Sequence, residues 1–232
     1  FEILDLGKSN NLIKKPSFHL TFDDGFSDNY EIAMNFLKQN KIDATFFIVK
    51  DFVDNKDMFY RNKACLIINH LESNENKRNN KIVFDFLKSN KMFTNSIRLS
   101  LLNIKHSNKI RLNEIANLIH LDFQEYLQTK KPYMSSDQIH DLVEAGFSIG
   151  AHSVDHPYLQ EMNESDQLNQ IRSSIEFVRN TFDIPYKAFA APFNDKGLKT
   201  SFINMLLEKG YIDMFFGTQG LKNDKIHRSY QR

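Results

Sequence analysis

The 232-residue sequence is poor in features that define several protein classes. It has one cysteine, Cys65, so it forms neither an intrachain disulfide nor a cysteine-based zinc cluster, and any metal site must use His, Asp and Glu. The 30 basic and 29 acidic residues nearly cancel, which argues against a dedicated nucleic-acid binder. No apolar run approaches the ~20 residues of a transmembrane helix.

The start of the sequence also lacks familiar signals. Residues 1–5 have neither the basic nor the apolar region of a signal peptide, and the first residue is not Met. We therefore interpret the chain as processed or trimmed, so the missing signal does not decide between the cytoplasm and the cell envelope or periplasm. Hydrophobic residues make up 41% of the sequence, which predicts a sizeable core, and the length favours one domain over two.

The sequence does contain an alternation of short β-prone runs and amphipathic helical segments. A strand, a helix and a strand at this spacing form a βαβ unit, which implies parallel strands and a right-handed crossover. No element is predicted for 222–232. The predicted strands are 17–22, 44–49, 147–151, 187–191 and 211–216, and the predicted helices are 29–39, 135–146, 164–180 and 200–209.

The stretch from 51 to 131 differs in character from the rest of the sequence. It is rich in Asn and Lys and contains neither Gly nor Pro. We interpret it as a helical insertion within a single domain that covers 1–232. Its predicted elements are helices at 57–71, 82–88, 97–104 and 112–126, with turns at 73–76 and 78–80.

Polar clusters follow three of the predicted strands directly. They are Asp23-Asp24, the pair His152 and His156, and Pro192-Phe193-Asn194. The carboxyl ends of parallel strands are the edge at which barrels and open α/β sheets build their active sites. Clusters scattered at random would not all fall there, so we expect one shared site.

The two clusters of ionisable residues suggest a metal site. Two adjacent carboxylates repel each other unless a cation or a proton offsets the repulsion, although Asp23-Asp24 before a glycine is also good turn chemistry. His152 and His156, four residues apart, can face one ion from a helix or a tight turn. Two His and one carboxylate leave Zn²⁺ an open position, as in catalytic sites. The alternative is a pair of structural histidines.

The same clusters carry a resemblance to a known family. Thr21-Phe22-Asp23-Asp24-Gly25 resembles the first motif of the polysaccharide deacetylases, which share the NodB homology domain (carbohydrate esterase family 4). His152-Ser153-Val154-Asp155-His156 resembles the second motif, and Phe189-Ala190-Ala191-Pro192-Phe193-Asn194 lies where the third is expected. The match covers about 17–49 and 133–217 and leaves the insertion unmatched.

The resemblance implies a fold and an activity. The fold would be a distorted, incomplete (β/α) barrel of the NodB type, here with a helical insertion. The substrate would be an N-acetylated glycan, which the enzyme would hydrolyse to acetate and a free amine. Asp24, His152 and His156 would hold a divalent metal, most naturally Zn²⁺.

The resemblance also implies the roles of the other site residues. Asp23 would be the general base that deprotonates a metal-bound water, and the backbone N–H of Phe193 would donate to the oxyanion. Tyr158, Phe193 and Asn194 are predicted to contact substrate.

The sequence departs from the family pattern in three places. Ala190 stands where many members have an Arg that orients the base. The fourth motif usually ends in Trp, and this sequence has none. His227 is the only late candidate for the general acid of the fifth motif. We therefore hypothesise that either His227 or Arg228 returns to the site.

Several alternatives stay open at this point. The chain could hydrolyse an O-acetyl ester or a small amide on the same scaffold, or it could be an inactive glycan-binding module, as Ala190 suggests. A helical adaptor built on the insertion is a fourth class. Asp195 is interpreted as a turn residue or as a further active-site carboxylate. The remaining histidines are given packing, capping or surface roles: His19, His70, His106, His120 and His140.

Overall fold

The computed structural model describes residues 2–3, 17–73, 77–220 and 226–232. They divide into two compact units. The barrel unit is Phe1–Lys56 together with Lys131–Arg232, and the helical unit is Asp57–Lys130. Residue 1, residues 4–5 and most of the turn predicted at 73–76 lie outside the described residues. In the described ranges, no helix is both long and apolar enough to cross a membrane.

The strands of the barrel unit confirm the predicted fold class, a distorted, incomplete (β/α) barrel. Two short strands, β1 (Glu2–Ile3) and β2 (Ser17–Phe18), form a parallel pair. Within the described residues a second sheet has six parallel strands in sequential order, as expected for repeated βα connections. These strands are β3 (Leu20–Phe22), β4 (Ala44–Ile48), β5 (Ser148–Ala151), β6 (Ala188–Ala190), β7 (Met214–Gly217) and β8 (Ser229–Gln231).

Helices fill the connections between the strands and make up the helical unit. The α-helices are α1 (Asn35–Asn40), α2 (Tyr60–Glu72), α3 (Lys77–Ser89), α4 (Ile97–Leu102), α5 (Ile110–Leu118), α6 (Phe123–Lys130), α7 (Ser136–Glu144), α8 (Glu164–Phe182) and α9 (Thr200–Glu208). A π-helical segment, Asn29–Met34, precedes α1. The 3₁₀ segments are Lys50–Asn55, His106–Asn108 and Leu159–Glu161.

The β4 strand shows how the alternation of side chains builds two cores. Phe46 and Ile48 belong to the large apolar cluster that includes side chains of α7, α8 and α9. Phe47 points to the other face, where it packs with Ala190 and Phe216 in a small cluster. The inner face of the sheet is therefore apolar here, with the rings of Phe47 and Phe216 beside the small side chain of Ala190.

Local capping explains where several helices begin. Ser135 and Gln138 form a reciprocal capping box at the start of α7, as the sequence predicts. The side chain of Asn163 accepts a hydrogen bond from the backbone of Asp166 and caps α8. These caps fix where the two helices that cover the sheet start.

The helical unit has its own apolar core, and two predictions within it are wrong. The turn predicted at 78–80 lies inside α3. The continuous helix predicted at 112–126 is interrupted between α5 and α6. His120 has a positive φ of 56°, and Asp122 Oδ1 accepts the N–H of Gln124 at 2.7 Å, which starts a new helix. Among the described residues of the unit, all five α-helices contribute buried apolar side chains, including Ile67, Val83, Leu101, Ile115 and Leu127.

Other differences concern the boundaries of the predicted elements. The helix predicted at 29–39 begins as the π-helical segment, and the strand predicted at 211–216 starts at Met214. The region 222–232, for which no element is predicted, contributes β8 to the sheet. This last strand proves important for the site.

Candidate metal centre and active site

The structure gathers the polar clusters of three strands at the carboxyl edge of the sheet. Asp23 and Asp24 follow β3, and His152 follows β5 directly. Asp24, His152 and His156 each present one ligand atom, and these atoms all lie within 4.8 Å of one another. We call these three residues the triad. They are the residues that the sequence proposes as metal ligands, although that role stays a prediction.

The distances within the triad fit a tetrahedral ion. Asp24 Oδ1 lies 3.1 Å from His156 Nε2 and 3.4 Å from His152 Nε2. Ligands bound to Zn²⁺ at 2.0–2.2 Å with tetrahedral angles are separated by about 3.3 Å. The Oδ1 atom is buried and makes no geometrically acceptable hydrogen bond within the described residues. An orphaned carboxylate oxygen beside two imidazole nitrogens is the arrangement that a bound cation would satisfy.

Hydrogen bonds around the histidines prepare their nitrogens for a metal. His152 Nδ1 lies 2.9 Å from the carbonyl oxygen of Ala190, and because a carbonyl only accepts, Nδ1 must carry the hydrogen. The neutral ring therefore presents the lone pair of Nε2 to the triad. The loop before His156 is held by its N–H, which donates to Ser153 Oγ at 3.0 Å.

Gln170 on α8 fixes the middle of the same loop. Its Oε1 accepts the N–H of Val154 at 2.9 Å, and its Nε2 donates to Asp155 Oδ1 at 2.8 Å. A helix that packs on the sheet thus positions the second motif. Since the backbone and a side chain of the loop are both bound, the separation of the two histidines is set by the fold.

Burial and charge act together on the protonation of the triad. Burial alone would raise the pKa of Asp24, but the two histidines beside it hold its pKa well below its usual range. Burial lowers the pKa of His156, and the neighbouring His152 lowers it further. For His152, burial opposes protonation, but the Asp23 and Asp24 carboxylates raise its pKa. An ionised Asp24 and a neutral His156 are the forms that ligate metal.

Backbone strain occurs at the site as well as at turns elsewhere in the described residues. Asp24, Ser153, His156 and Phe193 have φ values of 70°, 71°, 59° and 57°, in the left-handed region that residues other than Gly rarely occupy. Each such residue costs on the order of 1–3 kcal/mol. The strain occurs in all three motif segments, so the surrounding packing enforces this geometry at the expense of stability.

Asp23 is held by an arginine that the sequence does not single out. Arg232 follows β8, and its Nη1 and Nη2 donate to Oδ1 and Oδ2 of Asp23 at 2.8 and 2.6 Å. Nη1 also donates to Thr21 Oγ1 at 2.8 Å. Asp23 Oδ2 lies 3.7 Å from His152 Nε2, so the carboxylate borders the triad without belonging to it.

An aromatic pair borders the triad on the side of the third motif. The rings of Tyr158 and Phe193 stack with centroids 3.7 Å apart, and Phe193 also contacts the ring of His156 at 4.6 Å. We call Tyr158 and Phe193 the aromatic wall. Asn194 accepts the N–H of Lys196 at 3.1 Å, so its side chain shapes the turn that follows. Substrate contacts by these residues stay a prediction.

The hypothesis that His227 or Arg228 reaches the site finds no support in the geometry. Both side chains are exposed before β8, and within the described residues no hydrogen bond or ion pair joins His227 to the triad. Arg232 makes the contact to Asp23 instead. Sequence reasoning missed it because the three-residue β8 has no periodic pattern to place it in the sheet.

Asp195 is the second residue whose place the sequence left open. It is buried and accepts hydrogen bonds from the backbone N–H of Thr218 and from the side-chain amides of Gln219 and Gln231 at 2.9–3.0 Å. Burial would raise the pKa of Asp195, but these three donors outweigh it and lower the pKa. Its carbonyl oxygen accepts the N–H of Leu198 at 3.1 Å, so Asp195 begins the expected turn, and its side chain also anchors β8.

The chain is similar to known proteins in sequence and in fold. A family model described as polysaccharide deacetylase matches residues 11–211. No curated protein matches the sequence. The Streptococcus pyogenes deacetylase PplD in complex with acetate is similar at a TM-score of 0.54 and 15% identity, over 97% of this chain and 66% of that one.

Two further solved structures show the same similarity. IcaB from Ammonifex degensii has a TM-score of 0.54 and 15% identity, over 95% of this chain and 69% of its own. A de-N-acetylase from Aggregatibacter actinomycetemcomitans has a TM-score of 0.50 and 15% identity, over 97% and 72%. At these identities the similarity is one of fold.

Proposed function

The chain belongs to the polysaccharide deacetylase family, and on that premise we propose that it removes acetyl groups from N-acetylated sugars of a glycan. The family assignment makes it a hydrolase that acts on amide bonds. The products would be acetate and a free amine on the sugar. The finer elements of the proposal, a metal, a general base and a glycan-binding wall, come from the residues of the site.

A divalent metal, most naturally Zn²⁺, is the proposed cofactor. Asp24, His152 and His156 would hold it, and the buried, orphaned Oδ1 of Asp24 between two imidazole nitrogens is the observation that carries the proposal. When bound, such an ion lowers the pKa of a coordinated water and polarises the acetyl carbonyl. Three protein ligands leave the open position that catalytic zinc sites share.

Asp23 is the proposed general base. Its two bonds to Arg232 use one lone-pair site on each oxygen, so a further site on Oδ2 remains to take a proton from the attacking water. The backbone N–H of Phe193 would donate to the developing oxyanion. The proton held by Asp23 would then be available to the leaving amine.

The aromatic wall supports a carbohydrate substrate. Its two rings stack face to face beside His156, and an outer ring face of this stack would suit the apolar face of a pyranose ring. Tyr158, Phe193 and Asn194 are the proposed substrate contacts. The polymer would thus be bound close to the triad.

The metal centre is tested by zinc content after purification in zinc-containing buffer. We expect about one zinc per chain by mass spectrometry, and loss of most of it in His152→Ala and His156→Ala, because two remaining ligands bind weakly. His140→Ala, which removes an exposed histidine of α7, is the matched control and should retain the metal. Equal zinc in all four proteins would refute the triad as the metal site.

The reaction is tested by acetate release from N-acetylglucosamine oligomers, with O-acetylated glycans assayed in parallel. We expect release from the N-acetylated series, and a loss of at least about 100-fold in Asp23→Asn with zinc retained. Release from only the O-acetylated series would indicate an esterase. No release from either, with zinc bound, would favour a glycan-binding module or a small-amide hydrolase.

A further inference from the structure

The ion pair between Asp23 and Arg232 has the geometry of a positioning contact. Arg232 Nη1 donates to Asp23 Oδ1 at 2.8 Å, and Nη2 donates to Oδ2 at 2.6 Å. A third hydrogen bond, from Nη1 to Thr21 Oγ1, ties the same guanidinium to β3. A two-pronged pair of this kind fixes the plane of a carboxylate as well as its position. Arg232 and Asp23 are both largely shielded from solvent, with side chains 22% and 31% exposed, so the pair is more than a mobile surface contact.

The arginine is itself held in place from two directions. Its guanidinium carbon lies 5.4 Å from the centre of the Phe47 ring, on the inner face of the barrel unit where Ala190 and Phe216 also pack. The residue before it, Gln231, donates to the buried Asp195 at 3.0 Å and accepts the N–H of Gln219 at 2.9 Å. Arg232 thus directly follows β8, a strand that the hydrogen bonds of Gln231 hold in place.

Gly217 on β7 shows how closely this anchor is packed. A Cβ added there would lie 2.4 Å from the amide atoms of Gln231 and 2.6 Å from Asp195 Oδ2. Only glycine leaves room for the Gln231 amide against the neighbouring strand. The packing between β7 and β8 therefore fixes the direction in which the chain delivers Arg232.

From this network we infer that Arg232 is the positioning residue of the proposed base, holding the Asp23 carboxylate toward the triad from the β8 side of the sheet. The inference rests on the proposed function in that Asp23 must act as the base. It also accounts for Ala190: a small residue on the inner face leaves space for a guanidinium that arrives from another strand. The chain would thus position its base with an arginine that follows β8, rather than with one at the position of Ala190.

The test compares Arg232→Ala and Arg232→Lys with the wild-type chain in acetate release from N-acetylglucosamine oligomers. Because a misplaced base slows the chemical step and leaves binding intact, we expect Arg232→Ala to lower kcat by on the order of 100-fold with KM changed by less than about threefold. Lys restores the charge but not the two-pronged geometry, so it should recover only part of the loss. Added guanidinium should raise the rate of Arg232→Ala alone.

Zinc content and a matched variant separate positioning from general damage. Arg232→Ala should keep wild-type zinc and a cooperative unfolding transition. Arg172→Ala, which removes an arginine paired with Glu176 on α8, should leave kcat unchanged. An unchanged kcat in Arg232→Ala, or a rise in KM without a fall in kcat, would overturn the inference while the proposed function stands.

A double-mutant cycle tests the pair even if no substrate is turned over. Urea midpoints are measured for Asp23→Asn, Arg232→Ala and the double variant. If the two side chains are paired in solution, the double variant should shift less than the sum of the single shifts. Additive shifts would show that the pair is absent and would overturn the inference on their own. Absence of acetate release by the wild type would instead contradict the proposed function.

Discussion

At the scale of single residues, Asp195 shows how a buried carboxylate can serve structure next to the proposed active site. Its two oxygens accept three hydrogen bonds, from Thr218 and Gln219 after β7 and from Gln231 of β8, and its side chain is almost fully enclosed. Removing the acceptor would leave these partly buried donors unpaired, which is costly because they have given up part of their hydration to reach it. Asp195 is therefore expected to contribute stability while it is ionised.

That expectation gives a pH dependence with a definite sign. The pKa of Asp195 is lower in the folded than in the unfolded chain, so its contribution is complete above the unfolded pKa of about 3.9 and is lost as pH falls through the folded value. Asp195→Asn should lower the unfolding free energy by about 1.5–3 kcal/mol at pH 7. The difference in unfolding free energy between wild type and Asp195→Asn should stay constant above about pH 5 and narrow below about pH 4.

Urea unfolding at several pH values measures this gap directly. Asp137→Asn, which removes an exposed carboxylate from the first turn of α7, controls for a general loss of negative charge. A gap between wild type and Asp195→Asn that is the same at pH 3 and pH 7 would show that ionisation of Asp195 does not stabilise the fold.

The same scale shows what the sequence can predict about a site. Asp23-Asp24 and His152 to His156 are each a local pattern after a strand, so the sequence identified them as a cluster and the structure brings the triad together. Arg232 carries no such pattern, because its partner Asp23 is 209 positions away. Pairings at long range depend on strand order, which a short motif does not encode.

At the scale of secondary-structure elements, close packing between neighbouring strands limits side-chain size. Gly150 on β5 lies beside Phe47 of β4, with which it is paired in the sheet. A Cβ at Gly150 would lie 2.4 Å from a ring carbon of Phe47 and 3.1 Å from the carbonyl oxygen of Ala188. The glycine thus lets a large aromatic ring lie across the strand that leads into the second motif.

Gly150→Ala should therefore destabilise the barrel unit. Forcing a methyl group into a packed core costs about 1–3 kcal/mol, since the ring must leave its preferred position. Chemical denaturation of Gly150→Ala, Phe47→Leu and the double variant measures the effect. The cost of Gly150→Ala should shrink in the Phe47→Leu background, where the clash is relieved. Equal costs in both backgrounds would locate the strain elsewhere.

Secondary-structure elements with a long periodic pattern of apolar residues were predicted well. Elements whose bounds depend on a single residue were predicted poorly. The apolar stripe of α8 placed that helix to within two residues of its observed end. The helix predicted at 112–126 failed because Asp122 caps a new helix, a local hydrogen bond that outweighs the continuing stripe. The β8 strand was missed since three residues are too few to show alternation.

At the scale of the whole molecule, the chain leaves and re-enters the barrel unit through one small hydrogen-bonded junction. Asn55 donates to the carbonyl of Tyr133 at 2.9 Å and accepts its N–H at 3.0 Å. Asp54 accepts the N–H and the hydroxyl of Ser136 at 2.6 and 2.8 Å. The junction lies entirely within the barrel unit, and Tyr133 packs there on Phe52. The ends of the helical unit are therefore tied together by residues outside it.

We predict from this junction that the helical unit is an insertion the barrel unit can lose. A chain in which 58–129 is replaced by about four Gly and Ser residues should fold cooperatively and bind about one zinc, because the junction already holds the two ends close. Circular dichroism, urea unfolding and zinc content are the measurements. Adding Asn55→Ala should cost the shortened chain about 1–3 kcal/mol through its two lost hydrogen bonds. If the shortened chain failed to fold, the helical unit would be part of the barrel unit's core, and the single domain would be indivisible.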